Sequence, residues 1–210
     1  LSSTPRVSAI NMDYYAAGRI SAICVNPNNP DHMIVAGETG GLFETTNARS
    51  ATRTWSHLSG FDEYAVTDIL ILPVTGVAEV YVTCADSYKN PSTPTPLIFM
   101  RSAGGSRSWT RVAFTASTNI VSANRSAYRL VKHKTNNMLY AAGKFGVASK
   151  PEGSSTWSLL GLPPGSGVTT LETMADGTLI VGVVSGRAAG VYYRPNGSSS
   201  WITAACPVAL

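Results

Sequence analysis

Charged residues are scarce in this chain, at 13% of 210 residues. No segment reads as a long charged amphipathic helix, which argues against a helical bundle. Sixteen Lys and Arg stand against twelve Asp and Glu, a net charge of +4. They are scattered, with no block of five or six like charges, so the footprint of a nucleic-acid binder is missing. No apolar run approaches the roughly 20 residues that span a bilayer as a helix. Cysteine is limited to Cys24, Cys84 and Cys206. An odd count without C-x-x-C spacing excludes a disulfide framework and a zinc site. Cys24 and Cys84 lie in apolar runs and read as small buried hydrophobes, whereas Cys206 follows the last strand and could stay free or pair between chains. His32, His57 and His133 lack metal-ligand spacing. With no Ser-His-Asp phrase, phosphate loop or nucleotide fingerprint, neither a metal nor a cofactor is implied.

What is present is a strand-rich composition: 44% hydrophobic residues, 19 glycines, abundant Ser and Thr. Short strands joined by polar turns have this profile. Tryptophan marks a repeat. Trp55, Trp109, Trp157 and Trp201 are spaced by 54, 48 and 44 residues. The second copy ends Gly105-Ser-Arg-Ser-Trp109, the third Gly153-Ser-Ser-Thr-Trp157 and the fourth Gly197-Ser-Ser-Ser-Trp201. The first, Thr45-Thr-Asn47 to Thr54-Trp55, carries an insertion and lacks the glycine.

Each phrase follows three apolar runs and opens a fourth. The strands expected are 19–25, 32–36, 42–45 and 54–58 in copy one, and 66–72, 79–84, 97–101 and 109–114 in copy two. Copy three gives 128–133, 138–142, 147–149 and 157–160. Copy four gives 168–174, 178–183, 191–194 and 201–204. Breakers such as Asn26-Pro-Asn-Asn-Pro30 and Ala175-Asp-Gly177 separate them. Second strands such as Met138-Leu-Tyr-Ala-Ala142 are nearly continuous apolar runs, as strands buried on both faces are. Gly105, Gly153 and Gly197 suit a turn needing positive φ. The four tryptophans read as rings that lock each blade edge rather than as a stacking surface for sugars. Little helix is expected.

These phrases resemble the Asp-box, S-x-D-x-G-x-T-x-W, with Asn47, Ala103, Pro151 and Pro195 in place of the Asp. The stretch Gly18-Arg-Ile-Ser-Ala-Ile-Cys-Val-Asn26 and then Val35-Ala-Gly-Glu-Thr-Gly-Gly-Leu-Phe43 resembles the first blade of sortilin-like and BNR-repeat propellers, and is similar to propeller-type xyloglucanases. The resemblance covers residues 18–205. It implies an all-β fold, a β-propeller of four-stranded antiparallel blades, at 18–61, 62–115, 116–162 and 163–210, after an N-terminal arm over 1–17.

Such propellers host sialidases, xyloglucanases, sorting receptors, lectins and assembly factors, so function needs its own site. A sialidase-like arginine phrase finds its nearest match in Tyr128-Arg-Leu-Val131, which reads better as an ordinary first strand. The xyloglucanase resemblance puts a catalytic Asp where Glu38-Thr-Gly-Gly41 stands. Glu38 is one methylene longer, and its partner acid lies in a second propeller in that family. Beside a tight bend, Glu38 reads first as a turn carboxylate. The insertion Ser87 to Pro96 is stiffened by prolines, and Tyr88 with Lys89 could present a binding contact.

The expectation is a non-catalytic binding or assembly module outside the cytoplasm, with a glycan or a protein as ligand and neither nucleic acid nor membrane span. The alternatives are the N-terminal part of a xyloglucanase-like glycoside hydrolase and a structural component of a virion or surface assembly. The start at Leu1 reads as a processed end, which favours an extracellular, periplasmic or virion-associated protein. Sequons at Asn124 and Asn196 matter only in a eukaryotic secretory pathway. Residues 6–11 alternate like one further strand. Blades one and four are expected to bury apolar surface against a second fragment or an oligomer partner.

Overall fold

β-Branched and aromatic residues punctuated by turn formers favour sheets. The computed structural model describes residues 19–38, 41–61, 63, 65–73, 79–85, 95–101, 108–115, 124–133, 135–161, 167–184 and 189–205. Among them are seventeen strands and no α-helix. Strands β1 (Ile20–Asn26), β2 (Asn29–Gly37), β3 (Gly41–Thr45) and β4 (Ser56–His57) pair in that order as blade one. Blade two is β5 (Val66–Leu72), β6 (Glu79–Cys84), β7 (Ile98–Arg101) and β8 (Trp109–Arg111). A short β9 (Ala113–Phe114) follows. Blade three is β10 (Ala127–Lys132), β11 (Met138–Gly143), β12 (Gly146–Pro151) and β13 (Thr156–Leu159). Blade four is β14 (Val168–Thr173), β15 (Leu179–Val183), β16 (Gly190–Arg194) and β17 (Ile202–Thr203). Neighbours within a blade are antiparallel.

The strand expected at 109–114 divides at Val112. Trp109–Arg111 pairs with β7, whereas Ala113 and Phe114 run parallel to Thr156 and Trp157 and extend blade three to five strands. The fourth strand of blade four is shorter than expected, because Trp201 itself stands outside the ladder.

A feature invisible in the sequence confirms that the copies are equivalent. All four first strands carry a register shift one residue after the opening pair, between Ile20 and Ala22, Val66 and Asp68, Ala127 and Arg129, and Val168 and Thr170. Such bulges add local twist. They also fix corresponding positions blade by blade without recourse to residue identity.

The chain forms two compact units, the second beginning at Val112 and also taking in Thr95 and Pro96. In the first, blades one and two close on a core that includes Ile34, Leu42, Ile69 and Val82. In the second, blades three and four close on one that includes Val147, Leu171 and Val181. The central strands β6 and β11 are buried on both faces along most of their length, as their apolar runs require.

The tryptophans differ. Trp157 is fully buried, Trp109 and Trp201 are half-buried, and Trp55 is exposed. The expectation of one locked ring per blade therefore does not describe Trp55. Gly153 and Gly197 take φ of +86° and +81°, a region that side chains avoid. Gly105 lies outside the described residues, as do Tyr88, Lys89, Cys206 and residues 6–11.

Candidate functional site

At or next to the end of its third strand, each blade has a residue that faces the tryptophan. Arg101 pairs with Trp109 directly. In blades three and four the pairs one step away are Ser149 with Ser158 and Tyr193 with Ile202, which places Lys150 and Arg194 at the same station. Lys150 Nζ donates to the Ser154 carbonyl and Arg194 Nε to the Ser198 carbonyl, so these cations tie their own turns. Arg101 does something else. Its guanidinium donates to Glu44 Oε1 of blade one at 3.1 Å. Sequence alignment on the glycine hides this, because the blade-two turn has one residue more.

Glu44 is held from the other side by His32, whose Nε2 lies 3.0 Å from the same oxygen. The tautomer follows from the chain behind it. The Asn28 N–H donates to Asn26 Oδ1 at 3.0 Å. Asn26 Nδ2 is thereby turned toward His32 Nδ1, also at 3.0 Å. His32 accepts at Nδ1 and donates from Nε2. The Glu44 and Arg101 side chains are only 14% and 6% exposed. Chiefly the His32 hydrogen bond, with help from the Arg101 charge, holds the Glu44 carboxyl below the ordinary carboxylate range. A carboxylate kept ionised in this way is a poor general acid. The buried Nε–H of Arg101 meets no acceptor among the described residues, a costly condition for a buried donor.

Above this pair opens a cleft of about 300 Å³, at the lower end of small-ligand sites. Hydroxyls line it: Thr45, Thr46, Thr54, Ser56 and Ser59. His57 and Leu58 complete the wall. The turn that carries these residues is organised by Asn47. Its Oδ1 accepts from the Thr54 N–H at 2.9 Å and from Thr45 Oγ1 at 2.9 Å. The insertion peculiar to the first copy is pinned by Asp31, which accepts from Arg49 Nε at 3.0 Å and from its terminal nitrogen at 2.7 Å. Those hydrogen bonds pull the Asp31 carboxyl down to about 2. A smaller hollow of about 180 Å³ in the second unit is bounded by Tyr140, Leu179, Arg194 and Asn196. Arg194 is already committed there to its turn.

Of the residues weighed from sequence, His57 lines the cleft and His32 supports its floor, whereas Glu38 lies elsewhere. Glu38 follows β2, half-exposed, and pairs with Arg19 on the surface. Cys24 and Cys84 are free thiols held protonated by burial. His32 and His57 share no metal site, and no cluster of metal-ligating side chains occurs among the described residues. The cleft's charged pair went unread because it joins residues 57 positions apart in different blades.

With this geometry in view, the comparisons are informative about fold. No family model and no curated protein sequence matches the chain. Solved structures do. An ancestral GH74 enzyme superposes with a TM-score of 0.69 at 19% identity, over 89% of this chain and 25% of its own. The GH74 xyloglucanase from Xanthomonas campestris gives 0.60 at 10% identity, over 86% and 29%. The extracellular domain of a one component system from B. thetaiotaomicron gives 0.61 at 9%, over 89% and 25%. The fold is a β-propeller. Four of its blades are present, and the chain spans 25–29% of the length of these three neighbours. The likeness is one of architecture alone at such identities. No helix among the described residues is long and apolar enough to cross a membrane.

Proposed function

We propose that this propeller chain is a non-catalytic binding module outside the cytoplasm whose ligand is a neutral glycan, held in the cleft of blade one. The observation that carries the reading is the charge-neutral floor, Glu44 against Arg101, beneath a hydroxyl wall. Arg101 is already matched by a carboxylate, so the cleft offers no net charge to a phosphate or a nucleic acid. It offers hydroxyl donors and acceptors, the chemistry that a polyol pairs with. A single ionised carboxylate there does not supply the acid–base pair of a glycosidase. The extracytoplasmic placement is supported by the low charged fraction and by the neighbour that is an extracellular domain. Calorimetric titration with neutral and acidic oligosaccharides tests the reading. Binding of a neutral sugar should weaken at least tenfold in Ser56→Leu and Ser59→Leu, both exposed positions. Undiminished binding in both variants would refute it.

A second reading, part of a GH74-like hydrolase, is favoured by the architecture shared with two GH74 enzymes and by Glu38 immediately before the sequence Thr39-Gly40-Gly41. Turnover of xyloglucan by the purified chain, abolished in Glu38→Gln, would establish it.

A further inference from the structure

The cleft of the first unit has a counterpart inside the second, and strand register identifies its parts. Glu44 pairs with Ile34 across β3 and β2, as Ser149 pairs with Tyr140 across β12 and β11. Arg101 pairs with Val80, as Arg194 pairs with Leu179. The Leu58 N–H donates to the Leu42 carbonyl, as the Leu160 N–H donates to that of Val147. Counted from the shared bulge, these are the same stations. Glu44, Leu58 and Arg101 line the first cleft, and Ser149, Leu160 and Arg194 line the hollow of about 180 Å³ where blades three and four meet.

One part has changed. The carboxylate that matches the arginine in the first unit is a serine hydroxyl in the second. The second unit has no spare acid to put there. Its carboxylates are Glu152, Glu172 and Asp176. Glu152 pairs with Lys132 and Glu172 with Arg129, both at 2.6 Å. Asp176 accepts from the N–H and the hydroxyl of Thr178. Lys and Arg outnumber these acids over residues 112–210, a balance that draws anions.

Arg194 is held ready for an acid. Its Nε donates to the Ser198 carbonyl, which fixes the plane of the guanidinium. Its two terminal nitrogens meet no partner among the described residues. That edge of a guanidinium fork takes a carboxylate through charge-assisted hydrogen bonds. Tyr140, at the station of Ile34, adds a phenol to the wall, and Leu160 and Leu179 give it apolar surface. The hollow is below the usual range of whole small-ligand sites, about 300–1,000 Å³. It suits one acidic group and the few carbons that bear it.

We propose that this hollow is a carboxylate site, in which a ligand supplies to Arg194 the group that Glu44 supplies to Arg101. The ligand is a small organic acid, either free or as the uronate end of an oligosaccharide. Lys150 ties its own turn through the Ser154 carbonyl, so one guanidinium faces the ligand. A single negative charge matches it, whereas a phosphate of charge about −1.5 to −2 would remain uncompensated. The site is separate from the neutral-glycan cleft and does not rest on that reading.

Nuclear magnetic resonance titration of the isotope-labelled chain at fixed ionic strength tests it, with sodium acetate, sodium glucuronate, glucose and inorganic phosphate as probes. Acetate and glucuronate should shift the Ser149, Leu160 and Ser198 amides saturably, and glucose should not. Glucuronate binding at least about tenfold tighter than acetate assigns the site to uronate-bearing glycans, and equal binding assigns it to free acids; both outcomes uphold the carboxylate. The decisive variant is Arg194→Lys. Lys150 shows that a lysine at this station ties its turn, so the variant keeps the fold and the charge but spends its one nitrogen. Carboxylate binding should fall at least about tenfold, the scale of a lost charge-assisted hydrogen bond. Ser149→Glu should abolish it by filling the site from within, and Ser56→Leu in the first unit should leave it unchanged. A wild type without saturable shifts from either acid overturns the proposal. So does carboxylate binding that survives Arg194→Lys, or phosphate that binds more tightly than glucuronate.

Discussion

Phe114 stacks on Trp157, with ring centroids 6.4 Å apart and planes 21° apart. The contact is made by β9, which leaves the strand expected from sequence and pairs beside β13 instead. It explains why Trp157 is the one tryptophan fully withdrawn from water. Trp157→Ala should therefore cost about 3–5 kcal/mol in denaturant unfolding. Trp55→Ala, measured at low chain concentration, should cost less than about 1 kcal/mol. Equal losses would show that burial does not rank the two rings.

Arg101 and Glu44 form the floor of the cleft, and removing one partner strands the other. Arg101→Met should destabilise by about 3 kcal/mol, because the Glu44 charge is left with His32 alone in a largely buried position. The double variant Arg101→Met with Glu44→Gln should regain a large part of that loss. Additive losses in the double-mutant cycle would mean the pair is not coupled.

The strands were legible because their signal is local. Residues 66–72 and 79–84 are strands at the expected bounds, each an apolar run between turn formers. The tryptophan phrase marked every blade. The cleft was not legible, for a physical reason: its chemistry comes from residues brought together by sheet register. His32 looked like an isolated histidine, and Arg101 like an ordinary strand end. One signal was available. Cations Arg101, Lys150 and Arg194 recur near the third-strand ends of three copies, and blade one departs from them with Thr45 at that station.

Acid should weaken blade one through two of its carboxylates. Asp31 and Glu44 both have folded-state pKa values depressed by their partners. A depressed carboxylate stabilises the fold above its unfolded value, about 4, and that contribution is lost as pH falls through the folded value, about 2 for Asp31. Thermal unfolding followed from pH 5 to pH 2 should show a falling Tm. The slope should shrink in Asp31→Asn with Glu44→Gln. An unchanged slope in that variant would place the acid sensitivity elsewhere.

Two glycines separate conformational need from steric need, and only one of them stood out in the sequence. Gly153, at φ +86°, would place a Cβ in open space. Gly153→Ala should therefore cost only the strain of a left-handed residue, about 1–2 kcal/mol. Gly143 ends β11 with no such φ, yet a Cβ there would lie 2.1 Å from the Ser126 carbonyl oxygen and 2.8 Å from Ala127 Cα. Both obstacles are backbone, and the Lys144 N–H donates to that same carbonyl at 2.9 Å. The chain cannot give way without opening the junction of β10 and β11. Gly143→Ala should be the more damaging change, at about 3 kcal/mol or more, since overpacking against a fixed backbone lies at or above the top of the usual 1–3 kcal/mol range. Urea unfolding of the two variants side by side decides it. If Gly143→Ala proves as mild as Gly153→Ala, the close approach of β10 to β11 at Ser126 is not maintained in solution.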